Sequence, residues 1–328
     1  MKKELLTESE VNEIISSTED VALINTADQR LVFEGDYTEG HKMRLGPEEF
    51  EVDRTGYVMA ARAAGIPQTY ADKCPDSLIN QNLNYWYGEG GLSAEKSFLR
   101  KGNKVVGVGN KMEKLVSNRK LLDVVSSVVD NVKGYHYCSN DLWYTTASVV
   151  SDKSFEAISD DILFGGIQLQ SSILQKKPIE VSAYIYRQVC SNGACSSHEL
   201  FKWSRKNSSV AIEDWIHTAA VQAYKSLDAE FNRIKLMTNV GIKGHASEYI
   251  SSLLRNAGLS KGTEEEILQE VVNSGATSVY DVYNAISKVA THSKIFENNF
   301  ISGRSLQMVA GRVSRHCEVC PTCHHIVR

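Results

Sequence analysis

Proline is scarce in this chain, at five residues in 328. That argues against long, stiff, extended linkers. Long apolar runs are missing as well. None approaches the roughly 20 residues needed to cross a bilayer, so no membrane partner is expected. The opening residues Met1-Lys2-Lys3-Glu4-Leu5-Leu6-Thr7 lack the apolar stretch of a secretory signal, which sets the expectation of an intracellular, cytoplasmic protein. A disulfide framework is also absent. The seven cysteines are odd in number, three crowd the C-terminal end, Cys74 and Cys138 stand alone, and only Cys190 and Cys195 are neighbours. Buried thiols plus a metal site account for that pattern better than bridges do. No internal repeat and no low-complexity segment is visible.

Hydrophobic residues make up 42% and charged residues 23%, the profile of a folded chain rather than a disordered one. The length allows one large domain or two ordinary ones. The formal net charge of −4 hides an asymmetry. Residues 1–55 carry fourteen acidic and six basic groups, a net of −8. Residues 96–120 carry Lys96, Arg100, Lys101, Lys104, Lys111, Lys114, Arg119 and Lys120 against Glu113 alone, a net of +7. A local positive field of this kind attracts a polyanion even when the whole protein is acidic.

The apolar pattern predicts an α+β fold, with a mixed or antiparallel β-sheet core and flanking helices, then a helical C-terminal part and a Cys/His-rich tail. The boundaries fall at residues 1–205, 206–310 and 311–328. Thr7 and Glu10 have capping-box spacing ahead of Val11, Ile14 and Ile15, which predicts a helix over 8–17. Helices are expected at 55–64, 75–87 and 115–129, with strands at 97–109 around Gly102-Asn103. Residues 142–150, 162–170, 179–189 and 195–203 are β-rich. In 179–186, Ile179, Val181, Ala183 and Ile185 alternate with Glu180, Ser182, Tyr184 and Tyr186, the pattern of a half-buried strand. Asn192-Gly193 suits the hairpin turn that follows. Beyond 210 come a long helix to 236, a second over 245–257, a third opened by Thr263 and Glu266, and a fourth from Thr277.

The densest chemistry lies in the tail, His316-Cys317-Glu318-Val319-Cys320-Pro321-Thr322-Cys323-His324-His325. Zinc takes thiolate sulfur and imidazole nitrogen in a closed tetrahedron. Cys317, Cys320 and Cys323 supply three sulfurs, and His316, His324 or His325 completes the set, so a structural zinc ion is the expected cofactor. All these ligands lie on one short peptide, and Cys190, Cys195 and His198 are candidates for a ligand from elsewhere. Cys320 to His324 also matches the haem-attachment spacing. The three cysteines match the opening of an iron–sulfur site, although the fourth cysteine is missing. An unmetallated terminus stays open too.

Other constellations are weaker. Gly107-Val108-Gly109 lacks the third glycine of a dinucleotide fingerprint, with Met112 in its place, and reads as a turn. Cys195 and His198 have no nearby orienting carboxylate, so Cys195 reads as a core thiol. Asp160-Asp161 reads as a solvated pair at a strand entrance. More informative is Phe201-Lys202-Trp203-Ser204-Arg205-Lys206, which mixes aromatic rings with cations. Bases stack on aromatic faces while Lys and Arg neutralise phosphates. Arg187, Lys202, Trp203, Arg205 and Lys206 are therefore the expected strand contacts, with Lys101, Lys104 and Lys111 adding phosphate attraction.

Tyr186-Arg187-Gln188-Val189-Cys190-Ser191-Asn192-Gly193 resembles the R-x-V-C-S-N-G signature of the phage- and plasmid-borne family called domain of unknown function 932. Gly65-Ile66-Pro67-Gln68-Thr69-Tyr70 is similar to its G-I-P-x-x-Y segment. Ser117 to Asp123 resembles its S-x-R-Y…L-D-N region, with the tyrosine absent. Val282-Tyr283-Asn284-Ala285-Ile286 is similar to its C-terminal helix. The resemblance spans roughly 55–300 and leaves out the tail. It implies a phage or mobile-element origin in a bacterial host, and it brings no catalytic residues. The expectation is a non-catalytic nucleic-acid-binding protein handling single-stranded DNA or recombination intermediates, with a possible homo-oligomer. A virion-structural or host-interaction protein, and a metal- or thiol-dependent enzyme, are the alternatives.

Overall fold

The capping box at the N-terminal end forms as the spacing requires. The Thr7 N–H donates to Glu10 Oε2 at 2.7 Å, and the Glu10 N–H donates to Thr7 Oγ1 at 3.3 Å. It opens α1 (Glu8–Thr18), which buries Val11 and Ile15. The computed structural model describes residues 5–18, 20–26, 30–112, 115–140, 144–173, 178–187, 192–203, 211–242, 250–251, 254, 259–293, 306–311 and 313. Helices and two β-sheets make up an α+β fold.

The first sheet holds β1 (Ala22–Ile24), β2 (Leu31–Glu34), β3 (His41–Leu45), β4 (Glu48–Val52), β5 (Lys96–Lys101) and β6 (Lys104–Asn110), in the order β1-β5-β6-β4-β3-β2. Every pairing is antiparallel except β4 with β6. The chain between β4 and β5 is helical: α2 (Arg54–Ala63), α3 (Gln68–Ala71), α4 (Asp76–Asn84), a π-helical turn (Tyr85–Glu89) and α5 (Leu92–Glu95). Period-two alternation decides the faces. Leu31, Phe33, Met43, Leu45, Phe50 and Val52 point into a core with Tyr87 and Phe98. The intervening charges pair across strands on the solvent side: Arg44 with Glu34 at 2.6 Å, Lys42 with Glu49 at 2.9 Å and Lys104 with Glu51 at 3.7 Å. Gly56 lets α2 approach β6, because a Cβ there would lie 2.6 Å from the Val105 carbonyl oxygen. The outer edge of β2 is closed by α4. The Asn84 amide accepts from the Phe33 N–H at 2.5 Å and donates to its carbonyl at 3.0 Å, and Asn80 donates to the Gly35 carbonyl at 2.8 Å. These side chains satisfy backbone groups that an open edge would leave exposed.

The second sheet is an antiparallel meander of β7 (Val132–Asn140), β8 (Tyr144–Ile158), β9 (Asp161–Ser171), β10 (Ile179–Arg187) and β11 (Asn192–Trp203), each paired with the next. No strand is expected from the sequence over β7, where Lys133, His136 and Ser139 interrupt the apolar pattern. Leu6 bridges to Tyr135 through two backbone bonds, tying α1 to this sheet. One face carries Ala147, Val149, Ile167, Leu169 and Val181, and receives α1, α6 (Asn118–Ser126) and α7 (Ile212–Lys225).

Three expectations change here. β10 is buried on both sides, since Ser182, Tyr184 and Tyr186 are as enclosed as Val181 and Ala183. Leu5 and Met308, from the two ends of the described chain, pack on the face that alternation leaves to solvent. Gly107 and Gly109 lie inside β6 rather than in a turn. The long helix over 210–236 is two helices, α7 and α8 (Leu227–Thr238), broken at Ser226. The Ser226 hydroxyl donates to the Ala223 carbonyl and so competes with the helical ladder. The break turns Leu227 and Phe231 onto Gly165, where a Cβ would fall within 2.8 Å of Leu227.

The remaining described helices are α9 (Lys261–Ser274) and α10 (Val279–His292). The cap of α9 is Ser260, three residues before the expected Thr263, and Gly275 in the left-handed region (φ 62°) ends it. Ser278 and Asp281 form the capping box of α10. With α8 and residues 306–311, these helices enclose a core of Ile267, Val271, Tyr280, Val282, Ile286 and Leu306. Among the described residues no helix is long and apolar enough to cross a membrane.

Candidate nucleic-acid interface

The β5–β6 hairpin turns at Gly102, whose φ of 58° suits glycine. It sets Lys101 opposite Lys104 and Lys96 opposite Asn110. Lys96 Nζ donates to Asn110 Oδ1 at 3.0 Å, Arg100 Nη1 to the Gly102 carbonyl at 2.8 Å, and Lys101 Nζ to the Ser17 carbonyl at 3.0 Å. A neutral acceptor orients a cation and leaves its charge in place. Lys104 differs, since it meets Glu51 at 3.7 Å with both side chains exposed. Lys111 is exposed just beyond β6, and its backbone N–H donates to the Glu95 carbonyl.

The same stretch continues into α6, where Ser117 is the N-cap and accepts from the Lys120 N–H. Asn118 turns inward to Thr145 and Ser171. Arg119 and Lys120 are exposed in the first turn, which contains no acidic residue. Cations there face the positive end of the helix dipole, at a cost of about 0.3–1 kcal/mol each at low salt. Lys96, Arg100, Lys101, Arg119 and Lys120 meet no carboxylate at ion-pair distance among the described residues.

The second expected group is arranged differently. Arg187, at the end of β10, is held by Asp161 in a two-pronged ion pair, Nε to Oδ1 at 2.6 Å and Nη2 to Oδ2 at 2.7 Å. Asp161 is 3% exposed, and Tyr280 of α10 also donates to its Oδ2 at 2.7 Å. Burial first, and then the Asp161 carboxylate, push the Tyr280 phenol well above its usual pKa. Asp161 is therefore an interior anion, not the solvated residue expected, and Arg187 is its counter-ion. Lys202 and Trp203 lie in β11, across from Glu180 and Ile179 in the second sheet, whereas Lys101 and Lys104 belong to the first. Arg205 and Lys206 lie outside the described residues. So do the expected zinc ligands Cys317, Cys320, Cys323, His316 and His324. Among the described residues no group of three or more His, Cys, Asp or Glu side chains could hold a metal ion.

Sequence reasoning passed over a third constellation. The β2–β3 turn and α4 enclose a cleft of about 640 Å³ lined by Glu34, Asp36, Tyr37, Asp76, Asn80 and Gln81, among others. Asp36 Oδ1 accepts from the Thr38 hydroxyl, from the Thr38 N–H and from the Glu39 N–H, bonds that hold its carboxyl below the usual range. Asp76 Oδ2 accepts from the Tyr37 N–H at 3.1 Å. Behind Tyr37 lies His41, stacked on Tyr57 with ring centroids 3.8 Å apart and edge-on to Tyr37 at 4.9 Å. It is 6% exposed, and neither ring nitrogen has a hydrogen-bond partner among the described residues. Burial lowers its pKa, with Asp76 and Asp36 opposing. The acidic run Glu34-Gly35-Asp36 was the only signal in the sequence. Nothing in the letters distinguishes an exposed tyrosine from a core one.

Comparison of the chain with family models, with curated proteins and with solved structures returns no match.

Proposed function

We propose that this protein is a non-catalytic nucleic-acid-binding protein, and that the polyanion lies along the β5–β6 hairpin and the first turn of α6. The observation that carries the reading is Arg119 and Lys120 at the positive end of α6, together with Lys96, Arg100 and Lys101 of the hairpin, which bond to neutral oxygens. A placement that costs stability in isolation is relieved when phosphates arrive, because backbone N–H groups and side-chain cations then act on the same anion. The resemblance to a phage- and plasmid-borne family supplies the setting, in which single-stranded DNA or recombination intermediates are the natural substrates. Arg187 has no part in this reading, since moving it would strand Asp161. A zinc-clipped tail is compatible with it and is tested separately by metal analysis of the purified protein.

Fluorescence anisotropy with a labelled 20-nucleotide strand at about 50 mM salt tests the proposal, since counterion release favours association there. Binding is expected to weaken linearly in log salt. Arg119→Glu with Lys120→Glu should lower the slope by about 1.4, at roughly 0.7 per lost phosphate contact on a single strand. No binding at low salt, or an unchanged slope in the variant, overturns it. The alternative of a host-interaction protein is favoured by one observation, the acidic cleft beside exposed aromatic rings.

A further inference from the structure

The cleft between the β2–β3 turn and α4 has the features of a recognition site for a cation. Among the described residues its lining contains three carboxylates, from Glu34, Asp36 and Asp76, and no lysine or arginine. Glu34 is engaged by Arg44. Asp36 and Asp76 each commit one oxygen to the turn, Asp36 through Oδ1 and Asp76 through Oδ2. Those bonds fix the direction of both carboxylates, and their second oxygens have no hydrogen-bond donor among the described residues. The two groups are neighbours, because Asp76 bonds the backbone of the residue that follows Asp36. Tyr37 stands beside them, 59% exposed, with its ring open to solvent. Such a ring accepts a guanidinium on its face while carboxylates take the edge donors. His41, buried behind Tyr37, supports that ring edge-on at 4.9 Å.

The surface beside the cleft narrows the ligand to a peptide. Gln81 lines the cleft, and Leu78 and Tyr85 flank it at helical spacings of three and four. Leu78 is 38% exposed and Tyr85 55%, and Trp86 stands edge-on to Tyr85 at 5.4 Å. Tyr85 and Trp86 occur where α4 passes into its π-helical turn, a distortion that is frequent at functional sites. A bare cation uses none of this surface. A nucleic acid is repelled by the carboxylates, and an apolar ligand leaves them desolvated.

We propose that this cleft docks a basic peptide segment of a partner protein, with an arginine guanidinium set between Asp36 and Asp76 against Tyr37, and apolar peptide side chains on Leu78, Tyr85 and Trp86. The site is separate from the hairpin assigned to nucleic acid and stands whether or not that assignment does.

The test is calorimetric titration of the full chain with the peptide Leu-Arg-Gly-Arg-Leu, its citrulline counterpart, and arginine amide alone. The arginine peptide is expected to bind at least tenfold more tightly than the neutral citrulline form and than arginine amide. Asp36→Asn with Asp76→Asn keeps the acceptors of the turn and removes the charge, and should weaken the peptide at least tenfold. Tyr37→Ala, at an exposed position, should do the same, so the test survives if the double variant does not fold. Arg119→Glu with Lys120→Glu should bind the peptide as the parent does, which keeps this outcome distinct from that of the nucleic-acid assay. Absence of binding, equal affinity for the citrulline peptide, equal affinity for arginine amide, or indifference to both cleft variants overturns the proposal.

Discussion

Arg44 and Arg187 make the same chemical contact, a guanidinium donating to a carboxylate at 2.6 Å, on two different sheets. On the first sheet the Arg44 and Glu34 side chains are 50% and 36% exposed, and water solvates them with or without the pair. On the second, Asp161 is enclosed between β9, β10 and α10, and Arg187 and Tyr280 are its donors. The first pair belongs to a row of cross-strand charges that keeps a face soluble. The second joins the end of the meander to the C-terminal helices, and the enclosed carboxylate makes its cation indispensable. The functional consequence follows. A cation needed inside is not available to a phosphate, whereas cations bonded to carbonyls on a solvent face are.

The sharpest way to break this comparison is to remove the two arginines in turn. Arg187→Ala leaves a buried carboxylate with one phenol donor, and a broken buried pair typically costs about 3–5 kcal/mol. Urea denaturation should show the midpoint falling by that equivalent, and Asp161→Asn added to Arg187→Ala should recover part of the loss. A loss below about 1 kcal/mol would mean that Asp161 is far better hydrated than its burial implies.

Much of this arrangement was legible in the letters, and what was missed shares a cause. Val181 and Ala183 face inward as alternation requires, and Thr7 with Glu10 caps α1 as the spacing requires. Local rules reach that far. Alternation records the polarity of Tyr184 and Tyr186, not whether Leu5 and Met308 will arrive from the ends of the described chain to cover them. Asp161 looks solvated until Tyr280, 119 residues away, is placed beside it. The cations of 96–120 were visible as a cluster. Only the structure separates Lys104, which faces Glu51, from Arg119 and Lys120 at a helix start. The cleft was invisible for the same reason, since Asp36 and Asp76 meet through a fold and not through a motif.

His41 gives a smaller effect, read through pH. The groups around it are Tyr57 on α2, Tyr37 and Asp36 on the turn, and Asp76 on α4. Burial favours the neutral ring in the folded state, so its folded pKa lies below the unfolded value of about 6.5. The unfolded chain then binds the proton more tightly. The stabilisation is present above that unfolded value and is lost as pH falls through the folded one. His41→Phe keeps a flat ring on Tyr57 and removes two unsatisfied nitrogens, which should add on the order of 1 kcal/mol at neutral pH. Thermal midpoints measured between pH 7 and pH 5 should fall less steeply in the variant. Parallel slopes would assign the acid sensitivity to other groups.

The smallest effect falls on the first sheet, where Arg44→Ala should cost no more than about 1 kcal/mol, the range of exposed pairs. Salt decides whether the row of charges acts as a unit. Lys42 lies between Glu34 and Glu49, and both carboxylates, with that of Glu39, raise its pKa after its hydrogen bond to Glu49. If the pairs are independent, Arg44→Ala and Lys42→Ala will add, and 1 M salt will erase both losses. A double-mutant cycle across Arg44 and Lys42 that leaves more than about 0.5 kcal/mol of coupling would show instead that the strands hold these charges as one network. The exposed face would then share the rigidity that Asp161 imposes on the interior.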